Sequence, residues 1–264
     1  MMQLDHTIPF DFPDLRDRVA IVTGAARGIG LAIVRQMAQA GVKVAAWDLP
    51  GTDWRDVHGV PAESRLTFEG DVGQAQDWQR ILDEVHQRWG RLDILVNNAG
   101  ISGPIGALVE CEDAEFDEVM RVNARGVFLG LKYGARAMGE HGGAIINMAS
   151  VSGIGGGRYT VAYTASKHAV VGMTRLAAAE LAPRRIRVNA VCPAPTSTEM
   201  MFAMERSQSP HDPEAVRRGM TRMNPMGRYA EPQEVASLVM YLSSQASSFI
   251  TGTAIPVDGG LKAA

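Results

Sequence analysis

The amino-acid sequence predicts an α/β protein built on one doubly wound, mostly parallel sheet of about seven strands. Short apolar runs alternate with segments of helical periodicity along the whole chain. The runs are continuously apolar, as in strands that are buried on both faces. No repeat, low-complexity stretch or long linker divides the 264 residues, of which 46% are apolar, so a single α/β domain can hold them.

The first strand, helix and second strand form the clearest unit. VAIVTG begins at Val19 as a β-branched run and ends in glycine. The next segment places Ile29, Ile33 and Met37 at helical spacing and stops at Gly41. VKVAAWD then reads as a second buried strand. This order implies a right-handed parallel βαβ unit.

The same alternation continues to the C-terminus. The predicted elements are a strand near 65–70, a helix near 75–89, a strand at 92–96, a long helix near 113–140, a strand at 143–148, a helix at 162–182, a strand at 186–191, a helix at 231–243 and a short strand at 254–257. Residues 1–16, with Pro9 and Pro13, predict an irregular arm before a domain at 17–264. Residues 197–230 predict one long irregular insertion.

Composition and charge exclude several classes of partner. A formal net charge of -3 and a pI near 6.1 give no basis for binding nucleic acid or an anionic membrane. Cys111 and Cys192 are too few for a secreted disulfide framework and do not pair with histidines as a zinc site, so no metal is predicted. No apolar run is long enough to span a bilayer, and the N-terminus lacks the apolar stretch of a signal peptide. A cytoplasmic protein is therefore predicted.

A glycine-rich turn, TGAARGIG, follows the first strand and opens the first helix. Its glycines are Gly24, Gly28 and Gly30. They permit a tight turn and let a pyrophosphate approach the helix N-terminus, as in a Rossmann-type dinucleotide site. Asp48 ends the second strand, where a carboxylate accepts hydrogen bonds from ribose hydroxyls and repels a 2′-phosphate; its other interpretation is a strand-end turn residue. Arg27 favours a 2′-phosphate, but Leu49 rather than a cation follows Asp48, so NAD is predicted over NADP.

Tyr163 and Lys167 stand four residues apart in the predicted helix at 162–182. They therefore project from one face, a turn apart. An ammonium beside a phenol favours phenolate, which predicts a tyrosine pKa below about 10. Ser150, thirteen residues before Tyr163, ends the preceding strand and can hold a substrate oxygen against the phenol. Ser152 is the alternative serine, but the spacing favours Ser150.

Together these motifs resemble those of the short-chain dehydrogenase/reductase family, and the resemblance extends from Asp17 to Gly260. The glycine turn, the NNAG sequence that ends at Gly100, and the serine with Tyr-x-x-x-Lys all match. The resemblance implies that Asn123 joins Ser150, Tyr163 and Lys167 as the catalytic set. It also implies the following cofactor-binding residues: Gly24, Arg27, Gly28, Ile29, Gly30, Asp48, Leu49, Asp71, Val72, Asn98, Ala99, Gly100, Tyr163, Lys167, Pro193, Thr196 and Thr198.

One departure from the family's pattern follows the sixth strand. Ala194 stands after Pro193, where the family usually has glycine. The resemblance expects the Thr196 backbone and the Thr198 hydroxyl to hold the nicotinamide carboxamide, and the extra methyl restricts the backbone on which these roles depend. Cys192 is interpreted as a small buried apolar residue close to the nicotinamide.

The predicted function is reversible hydride transfer between a secondary alcohol or ketone and NAD(H). Tyr163 exchanges the hydroxyl proton, Ser150 orients the substrate oxygen, and Lys167 lowers the tyrosine pKa and holds the ribose; the family's proton relay ends at a water near Asn123. Two alternatives are an NADPH-dependent 3-oxoacyl-carrier reductase and a non-catalytic NAD-sensing protein. Asp48 and the net negative charge count against the carrier reductase. The complete catalytic set counts against the NAD-sensing protein.

The insertion at 197–230 is predicted to act as a substrate lid. Its methionines are Met200, Met201, Met204, Met220, Met223 and Met226. They either cover a mainly apolar or cyclic substrate or pack two short helices onto the domain. Gly155, Gly156 and Gly157 either leave room for a bulky ring or form a turn. The resemblance further implies a homotetramer paired through the helices at 113–140 and 162–182 and the C-terminal strand.

Overall fold

Seven parallel strands form one sheet in the computed structural model of the protein, which describes residues 12–263. The strands are β1 (Val19–Thr23), β2 (Lys43–Asp48), β3 (Arg65–Glu69), β4 (Ile94–Asn97), β5 (Gly143–Met148), β6 (Ile186–Pro193) and β7 (Ala254–Val257). Their order is β3-β2-β1-β4-β5-β6-β7, and each neighbouring pair is parallel. The order reverses between β1 and β4, and open sheets of this kind bind ligands at that switch point. The predicted fold class is confirmed.

Helices cover both faces of the sheet. They are α1 (Gly28–Gln39), α2 (Ala75–Trp89), α3 (Asp113–Met120), α4 (Gly126–Met138), α5 (Val161–Leu181), α6 (Glu199–Gln208), α7 (Pro213–Met223) and α8 (Pro232–Ser243). Within residues 12–263, none of them combines the length and apolarity that a membrane crossing requires. Most of the predicted arm, residues 1–11, lies outside the described residues. Its last part contains a short 3-10 helix, Pro13–Leu15, in which Leu15 is buried.

Two segments differ from the sequence predictions. The helix predicted near 113–140 is interrupted by a π-helical turn at Arg121–Arg125, and such turns are common at functional sites. The insertion at 197–230 is not irregular, because it contains α6 and α7. The Thr198 side chain caps α6 by accepting from the Met201 amide, and Asp212 caps α7 by accepting from the Ala215 amide. These capping residues are the helix-start signals that the sequence interpretation missed.

Two apolar layers fix the sheet between the helices. One layer packs α2, α4 and α5 on one face through residues such as Trp78, Leu131 and Val170. The other packs α1 and α8 on the opposite face through residues such as Ile33 and Val239. All five residues of β1 are buried, which explains its continuously apolar sequence. Each large buried aliphatic side chain stabilises the fold by roughly 1.5–3 kcal/mol, so the strand ends that carry the site are rigidly placed.

Candidate active site

The glycine turn lies between the end of β1 and the start of α1. Gly24 and Gly28 have left-handed backbones, with φ of 63° and 55°, which side chains disfavour. A Cβ on Gly30 would lie 2.7 Å from Asn98 Nδ2 and closer still to the Gly24 carbonyl, so only glycine fits there. The N-cap residue, Arg27, makes no side-chain hydrogen bond to α1 and is exposed. The first amides of α1, which include that of Ile29, are therefore available to an anion.

The end of β4 is hydrogen-bonded to this turn. Asn98 Nδ2 donates to the carbonyls of Thr23 and Gly24 at 2.9 and 3.0 Å. The amides of Asn98 and Ala99 both donate to Thr23 Oγ1 at 3.0 Å. The NNAG sequence and the glycine turn thus form one edge of the crevice, as the predicted cofactor roles of Asn98 and Ala99 require.

Asp48 lies beside the turn at the end of β2. Its Oδ2 accepts from the Ala26 amide and its Oδ1 from the Leu49 amide, both at 2.9 Å. Each oxygen keeps a lone pair, so the carboxylate is oriented but still able to accept further hydrogen bonds. The Leu49 side chain is 54% exposed and places no cation next to Asp48.

Asp71 follows β3 and is held by a residue that the sequence interpretation did not single out. Arg121 Nη1 lies 2.6 Å from Asp71 Oδ2, and the Gly73 amide donates to Oδ1 at 2.8 Å. Arg121 also binds Glu118, whose hydrogen bond raises the guanidinium pKa above its usual value. The pair joins the segment after β3 to the π-turn that contains Asn123. The sequence feature that could have identified Arg121 is its position two residues before Asn123.

Tyr163, Lys167 and Ser150 meet at the carboxyl ends of β5 and β6. Lys167 Nζ lies 5.5 Å from the centroid of the Tyr163 ring and donates to the Met148 carbonyl at 2.8 Å. The Ser150 side chain lies near enough to the Tyr163 hydroxyl to oppose the rise in the tyrosine pKa. The Ser152 amide donates to Ser150 Oγ at 3.1 Å. The spacing therefore predicts the arrangement of the phenol, the amine and the serine correctly.

Asn123 is fully buried in the π-turn, and its side chain is hydrogen-bonded to neighbouring residues. Its Oδ1 accepts from the Ile101 amide at 2.8 Å, and its Nδ2 donates to the Ile101 carbonyl and to Ser166 Oγ. A Cβ on Gly100 would lie 3.1 Å from Asn123 Oδ1 and 3.5 Å from Lys167 Nζ. Gly100 therefore lies between these two residues, at the edge formed by the NNAG sequence.

Burial controls the ionisation of this cluster. It raises the pKa of Tyr163, an effect that the hydrogen bond with Ser150 opposes. It also lowers the pKa of Lys167 to about 8 and raises that of Cys192 to about 11. The pKa of Tyr163 in the protein alone shifts in the direction opposite to the sequence prediction, because desolvation dominates and the Lys167 ammonium donates a hydrogen bond to the Met148 carbonyl rather than to the phenol. Cys192 is fully buried as a neutral thiol, in agreement with its apolar interpretation.

The segment after β6 meets the glycine turn. Ala194 is buried, and its amide donates to the Val257 carbonyl at 3.0 Å. It is not among the described non-glycine residues with a left-handed backbone, so its methyl causes no strain after Pro193. Thr196 Oγ1 donates to the Ala194 carbonyl. The methyl group of Thr198 lies 3.2 Å from the position of a Cβ on Gly28, which brings Thr198 to the predicted site.

The predicted lid, residues 197–230, has its own internal contacts. Arg217 on α7 binds Glu205 on α6 at 2.8 Å, and the Glu205 side chain is only 1% exposed. Arg217 also lies over the ring of Phe202. Met201 is buried, whereas Met200, Met223 and Met226 are 47–65% exposed. Met201 therefore packs onto the domain, as the second interpretation of the methionines expects, and a substrate-covering role of the exposed ones stays a prediction.

Comparisons with known proteins agree with this geometry. The family model described as Enoyl-(Acyl carrier protein) reductase matches residues 24–262. Levodione reductase from Leifsonia aquatica is 35% identical over 254 residues, covering 94% of this chain and 95% of the relative. A 3-oxoacyl-[acyl-carrier-protein] reductase from Thermotoga maritima is 36% identical over 252 residues, covering 94% and 98%. Trans-4-hydroxycyclohexanecarboxylate dehydrogenase from Sinomonas cyclohexanicum is 34% identical over 253 residues, covering 92% of each.

A solved structure also matches this chain over most of its length. The crystal structure of levodione reductase matches with a TM-score of 0.89 at 35% identity, over 94% of this chain and 99% of that chain. At this coverage, the likeness extends over nearly the whole chain.

Proposed function

Because this chain belongs to the short-chain dehydrogenase/reductase family of oxidoreductases, we propose that it transfers a hydride reversibly between a secondary alcohol or ketone and NAD(H). One observation carries the proposal. Tyr163, Lys167 and Ser150 lie together at the edge of the sheet where the glycine turn and the NNAG sequence also meet. That edge is where a doubly wound sheet binds a dinucleotide.

The residues of the crevice fit a dinucleotide. The free amides of α1 and the glycine turn suit a pyrophosphate, and Asp48 suits the adenosine ribose. Asp71 and Val72 would border the adenine, and Gly100 lies between Asn123 and Lys167, where a side chain would be crowded. When bound, the nicotinamide supplies the hydride acceptor or donor. Asp48 and the absence of a cation at Leu49 favour NAD, whereas exposed Arg27 is the residue that would favour NADP.

The hydrogen bonds around Ser150, Tyr163 and Asn123 indicate how a proton can be transferred. The Ser152 amide donates to Ser150 Oγ and fixes its position, and a substrate oxygen that replaces the Tyr163 hydroxyl as acceptor would receive the Ser150 proton. The raised pKa of Tyr163 keeps the phenol protonated in the protein alone, ready to protonate a ketone. In the reverse direction the phenol first loses its proton through the relay, and the resulting phenolate accepts the alcohol proton. The Asn123 side chain already donates both of its amide hydrogens, to Ile101 and to Ser166. It therefore shapes the π-turn, and a relay water would be held by the carbonyls of that turn.

A panel of secondary alcohols tested with NAD and with NADP is the direct experiment. We expect NADH formation, followed by absorbance, with at least one alcohol, and a kcat/KM for NAD well above that for NADP. Dinucleotide binding without turnover of any alcohol, and without reduction of the matching ketones, would contradict the proposal.

A second candidate is suggested by the comparisons. The matched family description and the Thermotoga relative both name acyl-carrier-protein substrates, so reduction of a carrier-bound 3-oxoacyl group with NADPH is the competing function. Asp48 and the net charge of -3 count against it. Oxidation of NADPH by an acetoacetyl carrier substrate, at a rate that exceeds every alcohol in the panel, would favour this candidate instead.

We also propose that the protein is a cytoplasmic homotetramer that acts on small molecules. Large apolar side chains are exposed on α4, on α5 and before β7, at Phe128, Leu176 and Phe249. Exposed apolar groups on two neighbouring helices are typical of a surface that another subunit covers. Size-exclusion chromatography with light scattering would measure the mass, and a monomer at micromolar concentration would contradict this assembly.

A further inference from the structure

The chain after β7 is folded into a fixed turn that is organised by Asp258. Its Oδ1 accepts from the Gly260 amide at 3.0 Å, and its Oδ2 accepts from the Lys262 amide at 2.9 Å. The Leu261 amide donates to the Asp258 carbonyl at 3.1 Å. Three successive amides are therefore bound to one residue, which fixes where the backbone of Lys262 lies.

This turn packs against the end of the lid. Asn224 Nδ2 donates to the Asp258 carbonyl at 3.0 Å, and the Met226 amide donates to the Gly259 carbonyl at 3.3 Å. A Cβ on Gly260 would lie 3.2 Å from Pro225 Cγ. The segment that is predicted to act as a lid and the turn are thus joined.

The Lys262 side chain reaches from the turn to the loop between Ser150 and Tyr163. A Cβ on Gly155, within that loop, would lie 3.0 Å from Lys262 Cε and closer still to Nζ. Within residues 12–263, no carboxylate or carbonyl pairs with this ammonium. An unpaired cation therefore lies where the lid, the C-terminal turn and the serine–tyrosine loop come together.

We propose that Lys262 binds an anionic group of the substrate, and that the natural substrate is a secondary alcohol that carries a carboxylate. The inference rests on the proposed function. The hydroxyl group of the substrate lies at Ser150 and Tyr163, and the carboxylate lies toward Gly155, where the ammonium supplies a charge-assisted hydrogen bond. A lysine suits this role because its compact charge sits on a flexible stem that adapts to the position of the anion.

The test compares two substrates that differ only in charge: 4-hydroxycyclohexanecarboxylate and its methyl ester. In the wild-type protein we expect the carboxylate to have the higher kcat/KM. Lys262→Gln should lower kcat/KM for the carboxylate about tenfold, mainly through KM, and leave that for the ester within about twofold. Lys262→Arg keeps the charge and should retain most of the preference.

Two further variants separate charge from position. Gly155→Ala keeps the lysine but displaces its ammonium, so the preference for the carboxylate should fall while the ester is still oxidised. Arg158→Gln removes an exposed cation from the same loop and should leave the preference unchanged. The proposal is overturned if Lys262→Gln affects both substrates equally or neither, or if the preference depends on Arg158 instead.

A binding experiment distinguishes failure of this proposal from failure of the proposed function. If the wild-type protein oxidises neither these substrates nor any other secondary alcohol, the proposed function fails. Lys262 is then tested by titrating the protein–NADH complex with cyclohexanecarboxylate and following NADH fluorescence. Weaker binding to Lys262→Gln than to the wild type supports the anion site, and equal binding overturns it.

Discussion

The dinucleotide side and the substrate side of the crevice are held in different ways. On the dinucleotide side, buried Thr23 accepts two amide hydrogen bonds from the end of β4, and Asn98 returns two to the glycine turn. On the substrate side, the lid is held by the Glu205–Arg217 pair and exposes Met223 and Met226. On the first side, each bond joins a side chain to a main-chain group, so the residue and the backbone path depend on each other. On the second side, the pair joins two side chains, which can change with the substrate.

The largest effect is expected where the two sides meet, at Tyr163. Tyr163→Phe removes the proton that the phenol exchanges with the substrate. We expect kcat to fall about 10²–10⁴-fold, the usual contribution of a general acid or base. NADH should still bind, as measured by fluorescence titration. Retained turnover would contradict the role of Tyr163.

Asp48 tests the dinucleotide side. Asp48→Ser removes the carboxylate that would bind the ribose hydroxyls and repel a 2′-phosphate. We expect kcat/KM for NAD to fall about 10–100-fold, since a hydrogen bond to a charged group contributes about 1.5–3 kcal/mol. The value for NADP should rise. Leu49→Ser, next to it, is the control and should leave the ratio of the two values unchanged.

Lys167 predicts that NADH binding on the dinucleotide side depends on pH. Burial lowers its pKa to about 8 in the protein alone, so the ammonium is present below that pH and is lost above it. Binding that uses the ammonium is therefore strongest at low pH, and the Kd for NADH should rise between about pH 7 and about pH 9.5. Lys167→Met should show weaker binding without this rise. The same rise in both proteins would contradict the assignment.

Arg121 is a smaller test of the dinucleotide side. Arg121→Gln removes the ion pair that orients Asp71, so we expect NADH to bind about three- to tenfold more weakly, as for the loss of about one hydrogen bond. Arg125→Gln, an exposed arginine of the same π-turn, is the matched control. Equal affinities of the two variants would show that Arg121 does not position Asp71.

Glu205 tests the substrate side and should have the smallest effect. Glu205→Gln weakens the contact between α6 and α7, so the substrate KM should rise about threefold while the Kd for NADH stays unchanged. Glu214→Gln makes the same charge change at an exposed position on α7 and should leave both constants unchanged. An equal effect on NADH binding would show that the lid is not independent of the dinucleotide side.

The sequence predicts the two sides unequally for a physical reason. All seven strands, the glycine turn and the meeting of Tyr163 with Lys167 follow from local periodicity and spacing. Two short helices in the lid are only one of two interpretations of its methionines, and their bounds are not predicted, because their capping residues, Thr198 and Asp212, occur in a segment without a long apolar face. The Asp71–Arg121 pair and the contact of Lys262 with Gly155 join distant parts of the chain. Such contacts depend on the folded chain path and cannot be read from local patterns.

Deuterium transfer tests the central claim most directly. A secondary alcohol that the protein oxidises, labelled with deuterium at the carbinol carbon, is incubated with NAD and the wild-type protein, and the NADH is analysed by mass spectrometry. Direct hydride transfer beside Tyr163 predicts one deuterium in each NADH formed, and far less NADH from Tyr163→Phe. Unlabelled NADH, or the same yield from both proteins, would contradict the account.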